Sequence, residues 1–250
     1  MAGMRRQGRQ KKKAGMGSRV RSVVLWTLAG LFLSSVVAVL SMRWLNPPYS
    51  AVMLHRLAGE GAPQHQVWVD YDEISPFMAL AVVAAEDQRF PQHWGFDTKQ
   101  IIAAVEQHLD GGRLRGASTI SQQVARNLFL WQGRSFVRKG LEVWFTGLVE
   151  LLWDKQRILE MYLNFAETGE RVFGVGAASE RYFRRSAGQL TENQAALVAA
   201  VLPNPVQLRI DQPSAYVRER QRWILGQMRN LGGPAYLDPL VEVSPISRDR

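Results

Sequence analysis

The chain has 250 residues, no cysteine and a formal net charge of +9. Its length accommodates one or two domains with a sizeable core, and the lack of cysteine excludes disulfides and thiolate metal sites. Arg5, Arg6, Arg9, Lys11, Lys12, Lys13, Arg19 and Arg21 crowd residues 1–21 without a single acid, which leaves 23 basic against 22 acidic residues elsewhere. The basicity is a property of the tail, so a nucleic-acid partner is not expected.

After this basic tail, predicted to be cytoplasmic, residues 22–42 carry no charge. A run of that length covers a bilayer core of roughly 30 Å as a helix. The basic cluster before it predicts a cytoplasmic N-terminus, with the remainder outside the inner membrane. The long charged lead and the lack of a small-x-small cleavage site favour a transmembrane signal anchor over a cleaved signal peptide. Residues 43–64, with Asn46-Pro47-Pro48, read as a linker.

Within 65–234, Val67 to Tyr71 alternates apolar and polar like a short strand or extended arm. Ser75-Pro76 predicts a helix start, with Ser75 as N-cap, ahead of the apolar run Phe77–Ala85; Pro91 prevents its continuation. Glu86 and Asp87 thus fall in the last turns of a buried helix, facing the negative end of its dipole and partly desolvated. Such a conflict marks functional sites, although a carboxylate pair at a helix end also serves as an ordinary cap or ion pair.

Thr98 to Leu109 predicts a second helix with Ile101, Ile102, Val105 and Leu109 on one face, then a mobile glycine-rich basic loop from Asp110 to Gly116. The next helix opens near Ser118, the expected N-cap. Ile120, Val124 and Leu128 form its apolar side, and Thr119, Gln122, Gln123 and Arg126 a polar arc. That arc suits a sugar or a diphosphate, or is simply a solvated face.

Gly133-Arg134-Ser135 breaks the chain before a helix bearing Arg138, Lys139 and Glu142. Taken alone, Arg138 and Glu142 make an exposed i, i+4 pair. The nearly all-apolar continuation Val143–Trp153 instead puts the charged triplet inside a cleft. Trp131 and the neighbouring aromatics read as core or as a membrane-facing lip. Lys155 to Asn164 is amphipathic, with Ile158, Leu159, Tyr162 and Leu163 inward, and with Tyr162 and Asn164 as structural hydrogen-bonders. Gly174 and Gly176 lack the GxGxxG pattern and its preceding strand, so no nucleotide site is expected. Helices are predicted at Ala177–Phe183, Thr191–Leu202 and Ser214–Leu231, and residues 235–250 read as a flexible tail. The soluble part is therefore one mainly α domain with six to nine helices and at most a trace of strand.

Four stretches then occur in one order: Glu-Asp-x-x-Phe-x-x-His-x-Gly-x-Asp at 86–97, Gly-x-Ser-Thr-Ile-x-Gln-Gln at 116–123, Arg-Lys-x-x-Glu at 138–142 and Ile-Leu-Glu-x-Tyr-Leu-Asn at 158–164. Together they resemble the peptidoglycan glycosyltransferase family over about residues 65–205. The resemblance implies a lysozyme-like helical domain with a small jaw lobe, here preceded by the one transmembrane helix. It implies polymerisation of lipid II into β-1,4-linked glycan with inversion and release of undecaprenyl diphosphate. No lysine completes a Ser-x-x-Lys motif, so the chain looks like the monofunctional form without a transpeptidase domain.

On the family pattern Glu86 is the general base, and Glu142 orients cations, or a divalent ion such as Mg2+ or Mn2+, around the diphosphate. Arg126, Arg138 and Lys139 answer its charge. Asp87, Phe90, His93, Ser118, Thr119, Gln122 and Gln123 match positions that shape the site or contact substrate. Arg126 departs from the family's usual lysine: the charge is kept, but a point ammonium becomes a planar fork. The expected partners are lipid II, the growing lipid-linked glycan, the inner membrane and other wall-synthesis or division proteins. A muramidase or lytic transglycosylase on a similar fold is the rival enzyme class, and a membrane-anchored scaffold the non-enzyme rival.

Overall fold

A computed structural model describes residues 16–60, 65–109, 111, 118–133 and 135–242. The first 15 residues of the basic tail, most of the 110–116 loop and the last eight residues lie outside the described set. The chain divides between Ala38 and Val39 into two compact units. Helix α1 (Met16–Ser41) begins in the first unit, and its stretch Arg19–Ser41 contains an 18-residue window of mean hydropathy 2.4, long and apolar enough to cross a membrane.

The second unit continues with α2 (Ala51–Glu60), α3 (Pro76–Glu86), α4 (Thr98–Leu109), α5 (Ile120–Phe129) and α6 (Phe136–Leu152). Then come α7 (Lys155–Phe165), α8 (Gly174–Phe183), α9 (Glu192–Val201), α10 (Ala215–Asn230) and α11 (Asp238–Glu242). Three short strands, β1 (His65–Gln66), β2 (Glu167–Gly169) and β3 (Val172–Phe173), form a sheet of order β1-β3-β2, with β1 parallel and β2 antiparallel to β3. The fold is mainly α, as expected, with more helices than the six to nine predicted.

Two of the extra helices occupy segments read as irregular. Residues 51–60 are not a linker: Ser50 and Met53 are fully buried, and Met53 N–H donates to the Ser50 hydroxyl at 3.2 Å. At the other end, Leu237 and Leu240 are buried, so residues 235–242 belong to the folded body rather than to a flexible tail. Between α1 and α2 the chain is held by α6 and α7. Trp153 Nε1 donates to Val39 O at 2.8 Å, and Arg157 donates to the carbonyls of Met42 and Leu45. The Val39 carbonyl is among the last four of α1, which a helix end leaves without intrahelical partners.

Helix α3 is the centre of the core. It is apolar all round, with Met78 to Ala84 buried without a break, and such a helix must be enclosed. Helices α9 and α10 pack against it. Ala195, Ala196, Ala199 and Ala200 of α9 are all buried, and their small side chains let the helices approach closely. Ser75 stands at the N-cap position of α3, but its hydroxyl donates to Leu190 O at 2.8 Å and caps nothing. The consequence for function is that α3 delivers its last residue, Glu86, from a rigid, dry interior to the protein's cleft.

The glycines at 174 and 176 close-pack the start of α8. Gly174 has φ +82°, and a Cβ there would lie 2.6 Å from Asn164 O, so close packing explains the glycine without any phosphate loop.

Candidate active site

Two cavities meet at α5. A chamber of about 710 Å³ is lined by Glu86, Gln100, Gln107, Ser118, Arg220 and Trp223 among others. A second, of about 490 Å³, is lined by Arg56, Asn127, Trp131, Arg138, Tyr162 and Glu167 among others. Gln123, Arg126 and Pro203 line both, so the chambers are two halves of one cleft with α5 at the joint.

Glu86 ends α3, and its carboxyl is largely buried among Gln123, Arg126 and Arg220. Burial pushes its carboxyl above the ordinary carboxylate range, partly offset by the Gln123 hydrogen bond and the Arg220 and Arg126 charges. Gln123 Nε2 donates to Glu86 Oε2 at 3.0 Å. Arg220 Nη2 stands 3.5 Å from Glu86 Oε1, an ion pair too long for a good hydrogen bond. Glu86 Oε1 is therefore buried without a hydrogen-bond partner. Behind Gln123, the buried Tyr162 hydroxyl donates to Gln123 Oε1 at 3.4 Å, which turns the amide nitrogen toward Glu86.

Asp87 resolves the conflict of two acids at one helix end in another way. Its carboxylate accepts from Ile120 N–H at 3.0 Å, at the positive end of the α5 dipole, and lies 2.9 Å from His93 Nε2. It thus ties the end of α3 to the start of α5 and fixes Glu86 relative to Gln123 and Arg126. His93 is buried, and Phe90 is wholly buried beneath the Lys155 ammonium, 4.5 Å from its ring centre. Both belong to the wall behind the cleft and line neither chamber, so they can shape the site only from behind.

The predicted polar arc divides for the same reason. Thr119, not Ser118, caps α5: the Thr119 hydroxyl accepts from Gln122 N–H at 3.2 Å, and Gln122 Oε1 accepts from Thr119 N–H at 3.0 Å. The Thr119 hydroxyl also donates to Gly95 O at 2.6 Å. Thr119 and Gln122 spend their polar atoms on the helix start, whereas Ser118, Gln123 and Arg126 face the cleft. Among the described residues the Arg126 guanidinium makes no ion pair within 4.0 Å, although its charge reaches Glu86, and it is available to an anion in the cleft.

On α6, Arg138 Nη1 donates to Glu142 Oε2 at 2.9 Å, and Lys139 Nζ donates to Glu142 Oε1. Glu142 is 2 % exposed, so the triplet is no surface ion pair. Arg138 reaches the smaller chamber with its buried Nε unpartnered; Lys139 is half exposed, and neither Lys139 nor Glu142 lines a chamber. A divalent cation wants about six oxygen ligands. Among the described residues no second carboxylate joins Glu142 in a ligand cluster, and both of its oxygens are on cations, so these residues do not fit the Mg2+ or Mn2+ offered as the alternative there. Asp87, His93 and Asp97 do cluster, with candidate ligand atoms within 4.8 Å of one another. Asp87 is held by Ile120 and His93, however, and Asp97 by Arg89 at 2.7 Å, so the cluster is chiefly a hydrogen-bonded strut, with Asp97 Oδ2 the one carboxylate oxygen in it left unpartnered.

Sequence reasoning missed Arg220. Four arginines lie in α10, and no motif singles one out. The buried stripe Val217, Ile224 and Met228 could have: its helical spacing calls for an inward residue at 220 or 221. Arg220 fills that place.

The transglycosylase family model matches residues 52–229. Biosynthetic peptidoglycan transglycosylases from Xanthomonas campestris and Pseudomonas syringae are each 50% identical, over 92% and 89% of this chain and 97% and 94% of their own lengths. One from Klebsiella oxytoca is 53% identical over 86% of this chain and 88% of its own length. The matched region runs from α2 to α10 and contains both chambers and every residue of the joint. With that extent of agreement, the chain belongs to the transglycosylase family.

Proposed function

We propose that this peptidoglycan transglycosylase polymerises lipid II, with the acceptor sugar in the larger chamber and the lipid-linked donor's diphosphate in the smaller. The observation that carries the reading is Glu86 Oε1, a buried carboxylate oxygen without a hydrogen-bond partner, facing a chamber joined through Arg126 to one lined by Arg138.

The acceptor 4-hydroxyl oxygen attacks the anomeric carbon of the donor as its proton passes to Glu86. The bond from that carbon to the diphosphate oxygen breaks, and its electron pair leaves with the diphosphate. Attack from the opposite side inverts the centre, turning an α-linked donor into a β-1,4 glycan. A positioned base typically contributes ~10²–10⁴-fold. Desolvation suits Glu86 to the task because a carboxylate with a raised pKa is a stronger proton acceptor. No acid is needed for the leaving group, whose growing charge is met by Arg126 and Arg138. Glu142 holds Arg138 and Lys139 in place without touching substrate, and no step runs through a metal.

Helix α1 is read as a single-pass anchor in the inner membrane, with the basic N-terminus cytoplasmic and residues 43–242 periplasmic. Retaining glycosidases need two carboxyls ~5–5.5 Å apart. Asp87, next to Glu86, is committed to α5 and His93, which weighs against a hydrolase of that type.

The test is incubation of the detergent-solubilised protein with labelled lipid II. High-mass product that muramidase digests is expected. Cleavage of preformed glycan without polymerisation would move the assignment to the hydrolytic class, and inactivity toward both would favour a scaffold.

A further inference from the structure

The larger chamber does not end at Glu86. Arg220 and Trp223 line it, and both also line a further groove of about 290 Å³ on α10, completed by Tyr216 and Glu219. Positions 216, 219, 220 and 223 share one face of the helix. Tyr216 is 56% and Trp223 43% exposed on that face, whereas the stripe Val217, Ile224 and Met228 is buried. Two large aromatics are therefore held open to solvent at the mouth of the cleft, beside the residue that pairs with Glu86.

We propose that this face of α10 is a carbohydrate subsite, extending the acceptor site that the function proposed above places at Glu86. A pyranose ring offers a face of C–H groups to an aromatic ring and hydroxyl and amide groups at its edge. Tyr216 and Trp223 supply the aromatic surfaces, with amphipathic rims that tolerate water. Glu219 accepts, and Arg220 donates, in the polar plane between them. Seven residues of helix rise about 10 Å, which gives room for one pyranose ring together with its N-acetyl and lactyl substituents. A mostly apolar groove with a few convergent polar groups is the usual form of a small-ligand site. Continuity with the Glu86 chamber selects the occupant: the glycan portion of the acceptor, with one ring at Glu86 and the next along α10.

The test compares the full-length protein with Trp223→Ala, Trp223→Phe and Tyr216→Ala/Trp223→Ala variants, each checked for an unchanged thermal melt. Trp223→Ala is expected to raise the lipid II KM about tenfold, with kcat falling much less, and Trp223→Phe to restore most of the loss. Calorimetry with a lipid-free N-acetylglucosaminyl-N-acetylmuramic acid disaccharide is expected to show binding to the parent chain and none to the double variant. An unchanged KM and unchanged disaccharide binding in the folded variants would overturn the subsite. So would loss of binding to anionic phospholipid vesicles with sugar binding intact, which would make the face a bilayer contact. If the parent chain makes no polymer, the function reading fails separately, since the disaccharide measurement does not need turnover.

Discussion

Glu86→Gln separates catalysis from structure. The amide has the shape of the carboxylate, and its oxygen still accepts from Gln123 Nε2, which lies 3.0 Å from Glu86 Oε2 in the parent. What goes is the site that takes the acceptor's proton, so polymerisation should fall by ~10²–10⁴-fold. At 1.36 kcal/mol per decade that is about 3–5 kcal/mol of lost transition-state stabilisation. Stability should move the other way. Burial holds the Glu86 pKa above its ordinary value even after the Gln123 and Arg220 contributions. Below the unfolded-state pKa both states are protonated and the parent carries no penalty. As pH rises through the window from that value to the higher folded one, the unfolded chain ionises first and the parent loses stability. The variant has no such term. Its melting temperature should match the parent's near pH 4 and equal or exceed it at pH 7.5, while single-turnover assays with labelled lipid II show the loss of rate. Full activity in the variant would refute the base assignment. A variant markedly less stable at pH 7.5 would refute the account of burial.

Gln123→Ala removes the hydrogen bond that lowers the Glu86 pKa, so the acid limb of the kcat/KM profile should move to higher pH; an unmoved limb would show that Gln123 does not set the base. Asp87→Asn weakens charged hydrogen bonds to Ile120 N–H and His93 and should cost about 2 kcal/mol in urea denaturation, with a second loss in activity as α5 loosens. Arg126→Lys keeps the charge at the joint between the chambers, and turnover with lipid II should change by less than ~10-fold, whereas near-complete loss would mean the planar fork itself is required.

The sequence was enough for the fold class, the membrane-length apolar helix, the course of α3 and the neighbourhood of Glu86. Those properties are local: an unbroken apolar run from Phe77 to Ala85, a proline stop, and two acids where a helix end disfavours them. The order of four motifs was enough for the family. Only tertiary packing could sort the polar residues within those motifs. Gln122 and Gln123 are the same residue side by side, but Gln122 completes the N-terminus of α5 with Thr119, whereas Gln123 faces the cleft with Arg126. Asp87 sits beside Glu86 in the chain, yet α5 and His93 claim its carboxylate, whereas Glu86 Oε1 keeps no hydrogen-bond partner. Arg220 comes from 134 positions further along, brought to Glu86 because α3 and α10 pack together around the core. A local pattern can place a charge on a helix; which other helix that charge meets is decided by how the apolar faces close on one another.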